Sequence, residues 1–212
     1  MKWLLLILFL PNAASAQGFA GLGTDIDSFA TPERGQALTF PKDHGAHNDY
    51  RIEWWYLTAN LEGPDGTSYG LQWTLFRSAL TPTEGEGWNS AQLWMGHAAV
   101  TTPSAHYVTE RLGRGGIGQA GVKVDERFEA WIDDWYLRGS TDFNEMELRA
   151  VGPDFGYDMT LSAQSPLVLQ GDAGYSVKSA AGQASYYYSK PFYDIAGTLA
   201  LPEGDIAVTG HA

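Results

Sequence analysis

The side chains in this sequence that could do chemistry lie in a few short blocks. Glu53 precedes two tryptophans in "RIEWWYLTAN" (51–60), and Arg77 closes "YGLQWTLFR" (69–77). A carboxylate beside a guanidinium is either an ion pair closing one end of a structure or a catalytic carboxylate held in place. Such pairing favours the ionised form, which argues against Glu53 as a proton donor. His97 sits mid-strand in "WMGHAAV", on the face of Leu93, Met95 and Ala99. It reads either as a core histidine satisfied by one hydrogen bond or as a polar group, and proton shuttle, in a ligand cavity. Tyr186, Tyr187 and Tyr188 are consecutive. On a strand, Tyr186 and Tyr188 share one face and Tyr187 takes the other. They are either packing residues or phenols that orient the polar end of a ligand. Glu53, His97, Tyr186 and Tyr188 are therefore the catalytic candidates, with no role assigned to any of them.

Other blocks point away from chemistry. "DHGAHND" (43–49) offers His44, His47 and Asp49, but it reads as a loop without a fourth metal ligand. Local hydrogen bonding that fixes the approach to the first strand is the better reading, and no metal is expected. Asp133 and Asp134 stand before Trp135 in what reads as one strand over 128–138. They would face opposite ways and could not act as a close carboxylate pair. "GRGGIG" (113–118) has the spacing of a dinucleotide fingerprint but lacks the strand before it and the helix after it. It is better read as a mobile loop, a lid at a barrel mouth. No cofactor is expected.

The whole-chain numbers narrow the classes further. With no cysteine, the chain has no disulfide, no thiol nucleophile and no cysteine-built metal site. With 13 basic against 25 acidic residues, the net charge is −12, the wrong sign for a nucleic-acid partner. Lys2, the apolar run Trp3–Leu10 and "ASA" (14–16) form a signal peptide over residues 1–16. The apolar run is too short to cross a bilayer. The mature chain is expected to start near Gln17 and to be periplasmic or secreted. Seven of the eight tryptophans lie between Trp54 and Trp135, so the chain has either an unusually aromatic core or a cavity for a large apolar molecule.

The elements that must position these groups are short strands. After the signal the chain has no helical run of real length. β-rich stretches separated by Gly, Pro, Asn and Asp predict an antiparallel all-β sandwich or barrel. Expected strands are 52–62, 67–78, 92–102, 128–138, 144–151, 155–163, 166–170, 174–179, 184–189, 193–201 and 205–209. "TERLGR" (109–114) reads as one helical turn, and "GRGGIGQAG" (113–121) as a long loop.

The first hairpin can be read residue by residue. "GPDG" (63–66) fits a three-residue loop with Gly66 in the left-handed conformation. That loop sets Trp55 opposite Leu75, Leu57 opposite Trp73, Ala59 opposite Leu71 and Leu61 opposite Tyr69. At the far end Glu53 meets Arg77. The reverse face pairs Trp54 with Phe76, Tyr56 with Thr74 and Thr58 with Gln72. A register shifted by one residue would mix polar and apolar groups on both faces. Trp55, Leu57, Trp73 and Leu75, with His97, are the expected cavity residues. Trp54 is expected to be more exposed than Trp55.

In order along the chain come "FPKDHGAHNDYRIEWWYLTANL" (40–61), "YGLQWTLFR" (69–77), "WMGHAAVTT" (94–102), "DDWYLRG" (133–139), "LVLQGDAGYSVK" (167–178) and "ASYYYSKP" (184–191). Together they resemble the AttH-like, lipocalin-like family that includes the bacterial carotenoid 1,2-hydratases (hydroxyneurosporene synthases). The resemblance covers nearly all of the mature chain. It implies two successive lipocalin-like β-barrel domains, of which residues 17–212 are the first, the second being absent. The outer aromatic patch of Trp54, Tyr56 and Phe76 is where that second domain would pack.

The implied activity is acid-catalysed hydration of a C=C bond. The aspartate-bearing block that would supply the acid in the hydratases lies beyond Ala212. Those hydratases also carry a His and a Trp near the stretch matching 186–188, where this chain has only tyrosines. Two functions follow. One is an exported protein that binds a large apolar, isoprenoid or lipid-like molecule, with hydration in the full-length form. The other is a non-catalytic carrier of such molecules working with an ABC-type transporter.

Overall fold

The computed structural model describes residues 28–180 and 182–212. The signal-peptide reading and the start near Gln17 lie outside the described residues. The first hairpin joins β1 (Ile52–Glu62) to β2 (Ser68–Ala79). Its register runs from Ile52 opposite Ser78 to Glu62 opposite Ser68, and every expected pair is present. The loop is the expected one. Gly66 has φ 80°, and the Gly63 N–H donates to the Thr67 carbonyl at 2.9 Å.

The chain then adds β3 (Gln92–Thr101), β4 (His106–Arg114), β5 (Ala120–Val124), β6 (Phe128–Ile132), β7 (Trp135–Gly139), β8 (Glu145–Val151) and β9 (Gly156–Ala163). Four short strands follow: β10 (Val168–Leu169), β11 (Tyr175–Val177), β12 (Ala184–Tyr186) and β13 (Tyr188–Ser189). β14 (Tyr193–Leu201) and β15 (Gly204–His211) complete an 11-stranded antiparallel sheet in the order β4-β3-β2-β1-β15-β14-β9-β8-β7-β6-β5. The sheet curls into a nearly closed lipocalin-like barrel, as an all-β antiparallel chain requires to hide its faces.

Three expectations change. Residues 106–114 form β4 rather than containing a helical turn, and the loop of 113–121 shrinks because β5 begins at Ala120. Position 128–138 is two strands, β6 and β7, with Asp133 and Asp134 forming the tight turn between them. Asp133 adopts φ 52° there. Both aspartates consequently reach one cation: Arg111 pairs closely with Asp134 and lies 3.6 Å from Asp133.

The core fills the barrel with inward residues of both walls. Trp73, Leu75, Val100, Phe128, Ile132, Trp135, Leu148 and Leu199 are all fully buried. Each such side chain stabilises the fold by roughly 1.5–3 kcal/mol relative to exposure. β3 contributes Trp94, Ala98 and Val100 to this interior, and Gly96 lets Ile132 and Trp135 come close.

The ring has two weak joints. Among the described residues, β15 pairs with β1 through Asn60, Leu61 and Glu62 alone. At the other joint β4 and β5 share no ladder. Side chains bridge it: Gln119 Oε1 accepts from the Arg114 N–H at 3.1 Å, and Arg111 stacks 4.4 Å from the Trp135 ring.

Candidate functional site

A cleft of about 1190 Å³ opens beside β1. Glu53, Trp54, Trp55, Tyr56, Leu57 and Thr58 line it in unbroken succession. Neighbouring strand residues point to opposite faces, so a consecutive run lines one cleft only where the strand's edge is exposed. Among the described residues, no strand pairs with that edge of β1 over 52–58. Segment 182–193, with Tyr186, Tyr187, Tyr188 and Tyr193, forms the opposite lip.

One end of the cleft is built around Arg77, which is fully buried. Its Nε donates to Glu53 Oε2 at 2.7 Å and its Nη1 to Gln92 Oε1 at 2.5 Å. Nη2 donates to the carbonyls of His47 (2.7 Å) and Tyr50 (2.6 Å). The guanidinium thus pins segment 43–50 onto the hairpin. Glu53 Oε2 also accepts from the His47 N–H at 2.8 Å, and Oε1 lies 2.7 Å from His47 Nδ1. Both carboxylate oxygens are therefore engaged. The hydrogen bond to Glu53, aided by Asp43, raises the His47 pKa above its ordinary value despite partial burial.

His44 sits three residues away in a dry setting. Its ring stacks on Phe143 with centroids 3.8 Å apart, and Nδ1 lies 2.8 Å from the Tyr188 hydroxyl. Nε2 has no hydrogen-bond partner among the described residues. Burial pushes the His44 pKa down to about 4, so the ring is neutral near pH 7. Burial likewise pushes the Tyr188 phenol well above its usual range.

At the mouth, the Tyr56 and Tyr187 hydroxyls meet at 2.5 Å, and Lys178 Nζ lies 4.2 Å from the Tyr187 ring centre. Either hydroxyl can be the donor; the shared hydrogen bond lowers the Tyr187 pKa and raises that of Tyr56 to about 12. Tyr186 ties down the preceding segment, accepting from the Glu33 N–H at 2.7 Å and donating to Gln36 Oε1 at 2.8 Å.

The structure brings Glu53, Trp55, Leu57, Tyr186 and Tyr188 together around the cleft. Trp73 and Leu75 lie beneath it, fully enclosed in the core. His97 is elsewhere. It occupies the outer face of β3 with Leu93 and Met95, its ring 5.6 Å from that of Phe76. Trp54 and Trp55 are both half-buried, so exposure class does not separate them. Their contacts do: Trp55 stacks on Trp94 at 5.9 Å and donates Nε1–H to the His44 carbonyl at 2.9 Å.

Sequence reasoning passed over Tyr56, Tyr187 and Lys178 as a group, and the dry pocket of His44. The alternation of the tyrosine run did separate Tyr187 from its neighbours, but nothing local indicates that it meets Tyr56. Among the described residues, no group of three or more His, Cys, Asp or Glu side chains is placed to hold a metal ion.

An antiparallel lipocalin-like barrel with a side cleft defines the class. The AttH-like family profile matches residues 31–212, and the chain belongs to that family. A crystal structure of a Nitrosomonas europaea protein assigned to AttH superposes with a TM-score of 0.73 at 37% identity, over 86% of this chain and 56% of that one. Kievitone hydratase from Nectria haematococca shares the fold at 9% identity, with a TM-score of 0.58 over 85% of this chain and 51% of that one. This chain thus spans about half the length of the solved relatives it matches. Among curated proteins, none matches it significantly.

Proposed function

We propose that this protein is exported and holds a large apolar molecule, isoprenoid or lipid-like, in the cleft beside β1. The carrying observation is the cleft itself, about 1190 Å³ and walled by Trp54, Trp55, Tyr56, Phe128, Phe143 and Tyr188. Small-molecule sites are typically apolar concavities with a few placed polar groups, and drug-sized ones run to about 1,000 Å³. Polar groups along it include the Tyr56–Tyr187 pair, His47, Glu53 and Lys178.

Hydration of a C=C bond needs an acid to protonate the alkene, aromatic faces beside the cation, and a water to attack it. Aromatic faces are abundant in this cleft. Glu53 has both oxygens committed to Arg77 and His47, so it has none left to carry a proton to an alkene. A hydratase-type reaction would need an acid other than Glu53. The same geometry favours the second reading, a non-catalytic carrier that passes its ligand to an ABC-type transporter.

Titration with an acyclic carotenoid, followed by tryptophan quenching, tests the reading. Saturable binding is expected, weakened at least tenfold by Trp55→Ala. Absence of saturable quenching, or binding indifferent to Trp55→Ala, overturns it. Product analysis by mass spectrometry separates the two readings: addition of one water would favour an enzyme, and an unchanged ligand favours a carrier.

A further inference from the structure

The lining of the cleft has the opposite charge bias to the chain that forms it. The chain carries 25 acidic against 13 basic residues. Along the cleft the balance turns over: Lys42, Arg51, Lys178 and Lys190 stand against Asp43, Asp49 and Glu53. Two of those carboxylates are already engaged. Glu53 is held by Arg77 and His47. Asp43 accepts from the Thr39 N–H at 2.7 Å and lies 3.4 Å from His47 Nε2. The lysines of the opposite lip are not matched in this way. Lys190 donates to neutral acceptors, Asn144 Oδ1 at 2.8 Å and the Asp142 carbonyl at 3.4 Å. Lys178 is exposed, lies over the Tyr187 ring and, among the described residues, forms no ion pair.

The polar and apolar parts of the lining are separated in space. Phe128, Leu137, Phe143 and Met146 are buried and give the cleft an apolar floor. Lys178 and the Tyr56–Tyr187 hydroxyl contact stand at the mouth. The two phenols share one hydrogen bond, so one of their two O–H protons is left for a third partner. The bond shared with Tyr56, aided by Ser189 and Lys178, draws the Tyr187 phenol below its usual range, and a more acidic phenol is a stronger donor.

We propose that this mouth is the headgroup site for an anionic amphiphile, a long-chain carboxylate whose chain lies on the apolar floor. The headgroup site presupposes the ligand-binding role proposed for the cleft and narrows the lipid-like class to acids. Lys178 supplies the charge and the phenol pair a donated hydrogen bond, so each oxygen of a carboxylate has a partner. A neutral polyene has no group to offer either of them, and an alkylammonium head would meet a like charge. The charge bias of the lining acts in the same direction, because a cleft walled by one sign of charge concentrates ligands of the other.

Calorimetric titration of the protein with dodecanoate and with dodecanol, at about pH 8 where the acid is ionised, tests the site. The two probes share a chain and differ in charge. Dodecanoate should bind at least about fivefold more tightly, as one charge-assisted contact near the surface allows. Lys178→Met should bring the affinity ratio close to unity, and Lys178→Glu should invert it. Lys123→Met, at a cation of β5 outside the cleft, removes the same charge from the chain and should keep the ratio. Trp55→Ala should weaken both probes together, which ties them to the cleft. The headgroup site is overturned if Lys178→Met leaves the wild-type ratio in place, if Lys123→Met lowers it as far, or if Trp55→Ala leaves both probes tightly bound. Equal binding of the two probes to the wild-type protein would strike the headgroup site and leave the ligand role of the cleft standing, whereas no binding of either would remove both.

Discussion

His44 and His47 stand on the same short segment and are driven in opposite directions. The His44 ring is enclosed by Phe143, Phe40 and Tyr188 with a single hydrogen bond among the described residues, and burial keeps it neutral. His47 is half-exposed and touches Glu53 and Asp43, and those acceptors favour its protonated form. Burial by itself discharges a histidine, whereas a carboxylate partner outweighs partial burial. The network around Arg77 keeps the two settings apart, because it holds segment 43–50 in one position.

Arg77→Met is expected to collapse that difference and to have the largest effect. It removes a buried cation and leaves Glu53 and two carbonyls without their donor, which should cost about 3–5 kcal/mol, read from urea unfolding. A stability loss under about 1 kcal/mol would show that the network is incidental.

Acid titration separates the two histidines by sign. The folded-state pKa of His44, about 4, lies below its unfolded value, so the unfolded chain takes up the proton first. Stability should fall as pH drops from about 6.5 toward 4, by on the order of 3 kcal/mol. His47 is raised, so its contribution is full below its unfolded pKa and is lost as pH rises through the folded one. Its exposure limits the size to under about 1 kcal/mol. His44→Phe should therefore abolish the acid-side slope, and His47→Gln should steepen it. Unfolding measured at about pH 4.5 and 8 checks both, and equal slopes in the two variants would refute the contrast.

The smallest effect is expected at the mouth of the cleft. Tyr56→Phe deletes one exposed hydrogen bond, worth about 0.5–1 kcal/mol. It should also raise the Tyr187 pKa toward its ordinary value, read by ultraviolet titration of the phenols. No upward movement would mean that Ser189 and Lys178, and not Tyr56, tune Tyr187.

Much of the architecture was legible where side-chain polarity follows strand geometry. The β1–β2 hairpin segregates its faces cleanly, so one turn and one register satisfied it. β4 was not legible because its polarity is inverted. Val108 and Leu112 lie 64% and 70% exposed, while Arg111 points back to cover Trp135 and Gly113 makes room for Ile132. The turn at Asp133 and Asp134 lacks the usual glycine or asparagine and so read as uninterrupted strand. At the site, Glu53–Arg77 followed directly from the register. The His44 pocket did not, since it depends on Phe143 and Tyr188, some hundred residues or more away in sequence. His97 reads like a cavity group only until the inward face of β3 is known to be Trp94, Ala98 and Val100.

The two weak joints divide the wall into a four-stranded panel, β1 to β4, and a seven-stranded one. The panels share three ladder positions at one seam and side-chain links such as Arg111 to Asp134 at the other. Each panel is held by its own ladders, so among the described residues the wall is tied to itself by the fewest backbone pairs at Asn60–Glu62 and across the β4–β5 joint. The cleft lies beside the first of these seams, so its two lips are carried by parts of the wall that share little backbone.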